Sequence, residues 1–364
     1  MHKMVIEGKA KLSLSSGTFY NPKMKGLRDL SVLFLKQEGL RGKSVLDSTS
    51  ASGIRAIRYA LECGAKQPTL LDINKAAYQN MKLNLKKNRV KATALNESIQ
   101  EFCNSGDRNF DIIDLDPFGS AAPYVYDLMK VSKDNSLLMI TATDTAVLCG
   151  ANPGACIKYY ASQPLHNELC HEVGIRILAN YVAKIASQFN YGIRIRLAVS
   201  NLHYMRLFLS LEHGAAQAVR SVKETGFGAY CGSCRAFSYA KGLSPKLDAT
   251  CNSCTKLITL FGPLWLGSIY DKNAIGAMLK LADDKTDKDA IRILETIYGE
   301  IDIPLSYSIP KLTRHLGTGS VSKKKVIEKL RRSHNASETH FEADAIKTDA
   351  GIDEVYKTVK ALMK

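Results

Sequence analysis

The sequence has no uninterrupted apolar run of about 18 residues, which argues against a membrane-spanning helix. Its start, MHKMVIEGKAKLSLSS, lacks the apolar centre of a secretory leader, so a cytosolic location is expected. Acidic residues are scarce, with 35 Asp and Glu against 50 Lys and Arg, leaving a net charge of +15. That imbalance favours a polyanionic partner, because lysines and arginines gain affinity by releasing counterions from phosphates. General solubility is the competing reading. No segment repeats at a fixed period, which excludes a solenoid. G-x-G-x-x-G is also missing, so nothing points to a dinucleotide pyrophosphate. What remains is a chain of 364 residues, 45% apolar, long enough for two or three domains with their own cores.

Nine cysteines are present. Five of them, Cys63, Cys103, Cys149, Cys156 and Cys170, are scattered through apolar or helical contexts that suit buried thiols. The other four, Cys231, Cys234, Cys251 and Cys254, form C-x2-C-x16-C-x2-C. Two tight turns at this spacing present four thiolates to one tetrahedral Zn²⁺. With every position filled by protein, such a site is structural, and a reducing cytosol makes disulfides the poorer alternative.

Between residues 43 and 212, apolar strand-like runs alternate with helical patterns. The expected strands are 43–48, 68–73, 92–96, 110–116 and 135–144, and the expected helices are 53–64, 74–88 and 122–132. A long helix over 166–189 precedes strands 192–201 and 204–212. The link between those two is too short for a crossover helix, so they pair antiparallel and close an otherwise parallel, doubly wound sheet. The cysteine-rich stretch 228–257 reads as a metal-stapled loop or ribbon. Amphipathic segments return from Trp265 as a small helical module. The expected units are 1–215, 216–264 and 265–364, the last helical with a winged-helix character. VSKKKVIEKLRR (321–332) places Lys323, Lys324, Lys325, Arg331 and Arg332 on one basic helix, for which a solvated face is the alternative.

Ligands of open α/β sheets bind beyond the carboxyl ends of the strands. Strand one ends at Asp47 and the small residues Ser48, Thr49, Ala51, Ser52 and Gly53, which let backbone pass close to a ligand. Strand two ends at Asp72, placed to accept from ribose hydroxyls, although helix capping would also account for it. This pattern suits adenosylmethionine. DIIDLDPFGSAA (111–122) then brings Asp114 and Asp116 to the end of strand four, followed by Pro117 and Phe118. Asp116 is the better candidate, since it falls where the strand stops. A carboxylate beside an exposed aromatic matches the methylation of an exocyclic base amine. The acceptor draws on the amine proton, and stacking holds the base, worth about 1–3 kcal/mol. A turn-forming Asp and a core Phe are the competing readings.

The segments FYNPKMKGLRDLSV (19–32), SASGIRAIRYALECGA (50–65), DLDPFGSAAPYV (114–125), DTAVLCGANPGACIKYY (144–160) and CHEVGIRILANYVAKIA (170–186) resemble the archaeal and eukaryotic tRNA (guanine-26-N2)-dimethyltransferases. Similarity continues through 201–214, the cysteine quartet and ETHFEADAIKTDA (338–350), covering nearly the whole chain. The resemblance implies a Rossmann-like class I methyltransferase fold, a zinc-binding segment and a small α+β C-terminal domain that grips tRNA. It implies that Phe19 and Phe118 sandwich the target guanine and that Asp116 accepts from its N2 amine. Arg28 would hold the carboxylate of S-adenosylmethionine, Arg55, Asp47 and Gly53 would line its site, and Asp72 would take the ribose. In the adenine-contacting turn the family's usual N-x-D-A reads Asn96-Glu97-Ser98-Ile99, from which a weaker cofactor affinity is expected. His171 and Glu172 are expected to be scaffold. No membrane and no obligate protein partner is implied. The rivals are an amino-methyltransferase acting on another RNA or DNA base and a non-enzymatic zinc-ribbon nucleic-acid binder.

Overall fold

A computed structural model describes residues 3–15, 17–106, 108–201 and 203–363. The chain begins with an antiparallel hairpin, β1 (Lys3–Glu7) and β2 (Ala10–Leu14), turning at Gly8 with φ 55°. A 3-10 turn over Pro22–Met24, capped by the Asn21 side chain, then runs into α1 (Lys25–Glu38).

The alternating pattern follows, with one helix, α4, beyond those expected: β3 (Val45–Asp47), α2 (Ile54–Cys63), β4 (Thr69–Leu71), α3 (Lys75–Lys87), β5 (Thr93–Leu95), α4 (Ile99–Asn104), β6 (Phe110–Leu115), α5 (Ala122–Lys130) and β7 (Ser132–Ala142). Then come α6 (Thr145–Leu148), α7 (Pro153–Tyr160), α8 (Cys170–Ser187), β8 (Tyr191–Asn201) and β9 (Tyr204–His213). These strands form one seven-stranded sheet in the order β5-β4-β3-β6-β7-β9-β8. Only β9 runs against the rest, and it inserts between β7 and β8 rather than lying at the edge. The class I methyltransferase architecture expected from the sequence is present, with the antiparallel strand one place further in. Strand order reverses between β3 and β6, and the cleft opens there.

After α9 (Ala215–Lys223), the cysteine-rich stretch is more ordered than a stapled loop. It forms a three-stranded antiparallel sheet, β11-β10-β12, from β10 (Thr225–Tyr230), β11 (Phe237–Lys241) and β12 (Thr259–Trp265). Gly228 makes this pairing possible, because a Cβ there would stand 2.1 Å from the Phe261 ring.

The expected boundary at residue 265 does not coincide with the packing. Helices α10 (Lys272–Leu281) and α11 (Lys288–Gly299) pack on α1, and Ile275, Met278, Leu294 and Ile297 join the same core as Leu27 and Leu30. A separate small core begins at Tyr307. It holds β13 (Tyr307–Ser308), α12 (Ile309–His315), α13 (Lys323–Leu330), β14 (Ala336–Glu338), β15 (Ala345–Thr348) and α14 (Ile352–Lys360), with sheet order β13-β15-β14. This unit is α+β rather than purely helical. No helix among the described residues is long and apolar enough to cross a membrane.

Candidate active site

A cleft of about 670 Å³ lies beyond the carboxyl ends of β3, β4 and β6. Its floor is the loop after β3, where Ala51 (φ 46°) and Gly53 (φ 78°) both take left-handed backbone conformations. The Ser48 hydroxyl donates to the Asp114 carbonyl at 2.8 Å, and the Asp116 N–H donates to Thr49 Oγ1 at 2.9 Å. The loop after β3 and the end of β6 are thus joined across the switch point.

Asp72 lines the cleft, with its oxygens accepting from the Ala51 N–H and the Asn74 N–H, each at 2.8 Å. A carboxylate has about four acceptor sites, so two remain for hydroxyl donors. Beside it Ile73 is 73% exposed and lines the cleft, an apolar surface suited to a flat ring. Asn96 holds this turn, its amide donating to the carbonyls of Asp72 and Ile73. Ser98 and Ile99 also line the cleft, but Ser98 acts first as the cap of α4. Its hydroxyl donates to Glu101 Oε2 at 2.7 Å and accepts from the Glu101 N–H at 3.1 Å.

Two expected cofactor residues lie elsewhere. Asp47 is buried beneath the loop, outside the cleft lining, its carboxylate accepting, among the described residues, from the Ala56 N–H alone at 3.3 Å. Burial, reinforced by the negative charge of Asp114, pushes its carboxyl up to about 7. Gly53 likewise faces inward: a Cβ there would meet Leu70 and Met81 at 3.3 Å, so it serves helix–strand packing and the turn. Arg28 does line the cleft, but its guanidinium is committed to the hairpin. Nε donates to Glu7 Oε1 at 2.7 Å and Nη2 to Glu7 Oε2 at 2.5 Å. Burial opposes ionisation of Glu7, yet Arg28, with Tyr20 and Arg58, prevails and holds its carboxyl down to about 2.

At the other end of the cleft, Asp114 and Asp116 take separate parts. Asp114 is fully buried, held by Arg206 Nη2 at 2.9 Å to each oxygen and by the Tyr59 hydroxyl. Asp116 is 21% exposed and is gripped on one oxygen, Oδ2, by Arg55 Nε at 3.0 Å and Nη2 at 2.5 Å. Burial works against its charge, but Arg55 and Arg206 outweigh it and keep the carboxyl below the usual range. Phe118 (74% exposed) and Phe19 (50% exposed) line the same cleft as this carboxylate. Their ring centroids are 4.6 Å apart at 84°, so they touch edge to face. Residues not singled out from the sequence also line the cleft, among them Tyr124, Thr143 and His203. His203 sits in the β8–β9 turn, a position whose only sequence signal is a polar residue between two apolar strands.

The cysteine quartet forms as expected. Cys231 and Cys254 Sγ are 3.4 Å apart, Cys234 and Cys251 Sγ 3.5 Å, and all four lie within 4.8 Å of one another. The two turns are alike: the N–H of Arg235 (φ 65°) donates to the Cys231 carbonyl, and that of Thr255 (φ 60°) to the Cys251 carbonyl. Four soft thiols at this spacing could hold a tetrahedral metal ion. Glu172 is scaffold, as expected. Its Oε1 accepts from Arg176 and Lys347 at 2.9 Å each and from the Leu305 N–H at 3.0 Å.

A seven-stranded sheet with one reversed strand, acids at three strand ends and a carboxylate that shares its cleft with two aromatics define a class I methyltransferase for a base amine. Comparison with known proteins narrows the class. The chain matches the family described as N2,N2-dimethylguanosine tRNA methyltransferase over residues 2–360, and it belongs to that family. It is 36% identical over 363 residues to the tRNA (guanine(26)-N(2))-dimethyltransferase of Methanothermobacter thermautotrophicus, covering 97% of this chain and 95% of the relative. It is 35% identical over 376 residues to the enzyme of that name from Thermococcus kodakarensis, covering 98% and 96%. The Trm1 of Pyrococcus horikoshii, solved in complex with S-adenosyl-L-methionine, superposes with a TM-score of 0.91 at 34% identity, covering 98% of this chain and 99% of that one.

Proposed function

We infer that this protein transfers methyl groups from S-adenosylmethionine to N2 of guanine 26 in tRNA, giving N2-methylguanine and then N2,N2-dimethylguanine. The observation that carries the reading is Asp116, a held carboxylate at the end of β6 that shares its cleft with two exposed phenylalanines, Phe19 and Phe118, and with Asp72 and Ile73. S-adenosylmethionine supplies an electrophilic methyl on a sulfonium. Asp72 accepts from the ribose hydroxyls, Ile73 packs on the adenine, and Ser98 and Ile99 close its edge. Arg28 Nη1, which has no hydrogen-bond partner among the described residues, is left to meet the donor's carboxylate while Nε and Nη2 stay on Glu7.

Asp116 accepts a hydrogen bond from the N2 amine, localising the nitrogen lone pair that the ring would otherwise delocalise. Arg55 keeps this carboxylate ionised and weakly basic, so Asp116 orients and polarises the amine and takes the proton only as the nitrogen gains its methyl. Phe19 and Phe118 cannot hold a base at their present separation, since two stacking gaps of about 3.5–4 Å require about 7–8 Å between rings. The base therefore parts them as it enters, after extrusion from the tRNA at a cost of a few kcal/mol. The quartet holds Zn²⁺ in a structural role, and the small C-terminal unit contacts the tRNA backbone.

Incubation of an unmodified tRNA transcript with the protein and S-adenosylmethionine, followed by nucleoside mass spectrometry, tests the reading. N2-methylated guanine that disappears when guanine 26 is replaced supports it. Methylated adenine instead favours an amino-methyltransferase acting on another base.

A further inference from the structure

Three metal-ligating side chains converge outside both the cleft and the quartet. Cys149 Sγ lies 3.7 Å from His171 Nδ1, and with Cys170 Sγ all three ligand atoms lie within 4.8 Å of one another. The residues come from two places, the end of α6 and the start of α8, and two glycines bring these together. At Gly150 a Cβ would meet the His166 N at 3.1 Å, and at Gly174 it would meet the Leu148 Cβ at 3.1 Å. The junction is reinforced where His166 Nδ1 lies 2.9 Å from the Cys149 carbonyl oxygen. Cys149 is buried, whereas Cys170 and His171 are only half-buried, which leaves an ion a way in.

We propose that Cys149, Cys170 and His171 form a second metal site, taking Zn²⁺ with water as the fourth ligand. Zn–S bonds of about 2.3 Å and Zn–N bonds of about 2.0–2.1 Å in a tetrahedron put neighbouring ligand atoms about 3.5–3.8 Å apart, which the Cys149–His171 separation already matches. Two thiolates and an imidazole are the donor set that selects zinc over harder ions. The ion would tie the segment leaving β7 to α8. That segment also supports the Phe118 turn, since the Thr143 N–H donates to the Gly119 carbonyl at 2.9 Å and the Gly119 N–H to Thr143 Oγ1 at 2.7 Å.

The test is zinc content, by elemental mass spectrometry of the full chain purified without chelator, for wild type, His171→Gln and Cys170→Ser/His171→Ala. One zinc fewer per chain in the variants, with the Cys231→Ser/Cys254→Ser control still holding the zinc that the variants lose, is the expected result. Equal zinc in wild type and variants overturns the proposal, as does a wild-type intact mass lighter by two hydrogens from a Cys149–Cys170 disulfide. If both variants fail to fold, the quartet control decides: zinc retained by Cys231→Ser/Cys254→Ser supports the site, and no zinc there overturns it.

Discussion

Arg55 decides what kind of group Asp116 is. Two guanidinium N–H groups on Oδ2 favour the charged carboxylate, and on the proposed mechanism Oδ1, which Arg55 does not touch, meets the substrate amine. Asp116→Ala should therefore reduce methyl transfer by at least about 10²-fold, the lower range for general acid–base assistance, while adenosylhomocysteine still binds with nearly unchanged affinity. Calorimetry alongside turnover checks this, and retained turnover would remove Asp116 from the mechanism. Asp47 behaves in the opposite sense. Its folded-state carboxyl titrates near 7 against an ordinary 3.8, so the fold binds the extra proton and loses stability as pH rises between those values. Asp47→Asn removes that loss, and its melting temperature relative to wild type should improve from pH 5 to pH 8. The acid at the end of β3 was legible in the sequence. Its burial was not, because only the packing of α2 and β6 around it excludes solvent. Ser98 is subtler: its hydroxyl proton already goes to Glu101, so the weaker cofactor affinity expected from the sequence becomes a comparison of Ser98→Asp with wild type by calorimetry.

Among the elements, α13 shows how a basic run divides its labour. Lys323 Nζ donates to Glu338 Oε2 at 3.0 Å and to the Ala343 carbonyl, and Arg331 Nε donates to the Ala336 carbonyl at 2.8 Å. Both are partly spent on contacts within the small C-terminal unit. Lys324, Lys325 and Arg332 are exposed and carry no internal partner among the described residues. Replacing these three with alanine should lower the slope of log K against log salt for tRNA by about 2–3, since each phosphate neutralised by a side chain contributes about 0.7–0.9 to that slope. An unchanged slope would take α13 out of the interface. Charge periodicity identified this helix, but which of its charges are free depends on β14 and the loop before β15, which come later in the chain.

For the molecule as a whole, the two cores are joined by buried ions. Lys347 from β15 reaches Glu172 of α8 at 2.9 Å and Glu300 at 3.1 Å, and His340 Nδ1 lies 2.9 Å from Glu300. Removing one member of such a network leaves buried charge uncompensated, so Lys347→Ala should destabilise the protein by about 3–5 kcal/mol in denaturant unfolding. A loss of less than about 1 kcal/mol would mean that water reaches the network. The quartet adds a second tie, since the Tyr356 hydroxyl of α14 donates to the Cys234 carbonyl at 2.9 Å.

Strand and helix order, the acids at strand ends and the C-x2-C pairs are carried by local patterns, since periodicity and short spacing need no knowledge of distant residues. The closed Phe19–Phe118 pair, the capture of Arg28 by Glu7, the burial of Asp47 and the joining of α10 and α11 to the large core depend on groups far apart in the chain. Those were decided by the tertiary structure alone, because burial and ion pairing are properties of what the fold brings next to a residue rather than of the residue itself.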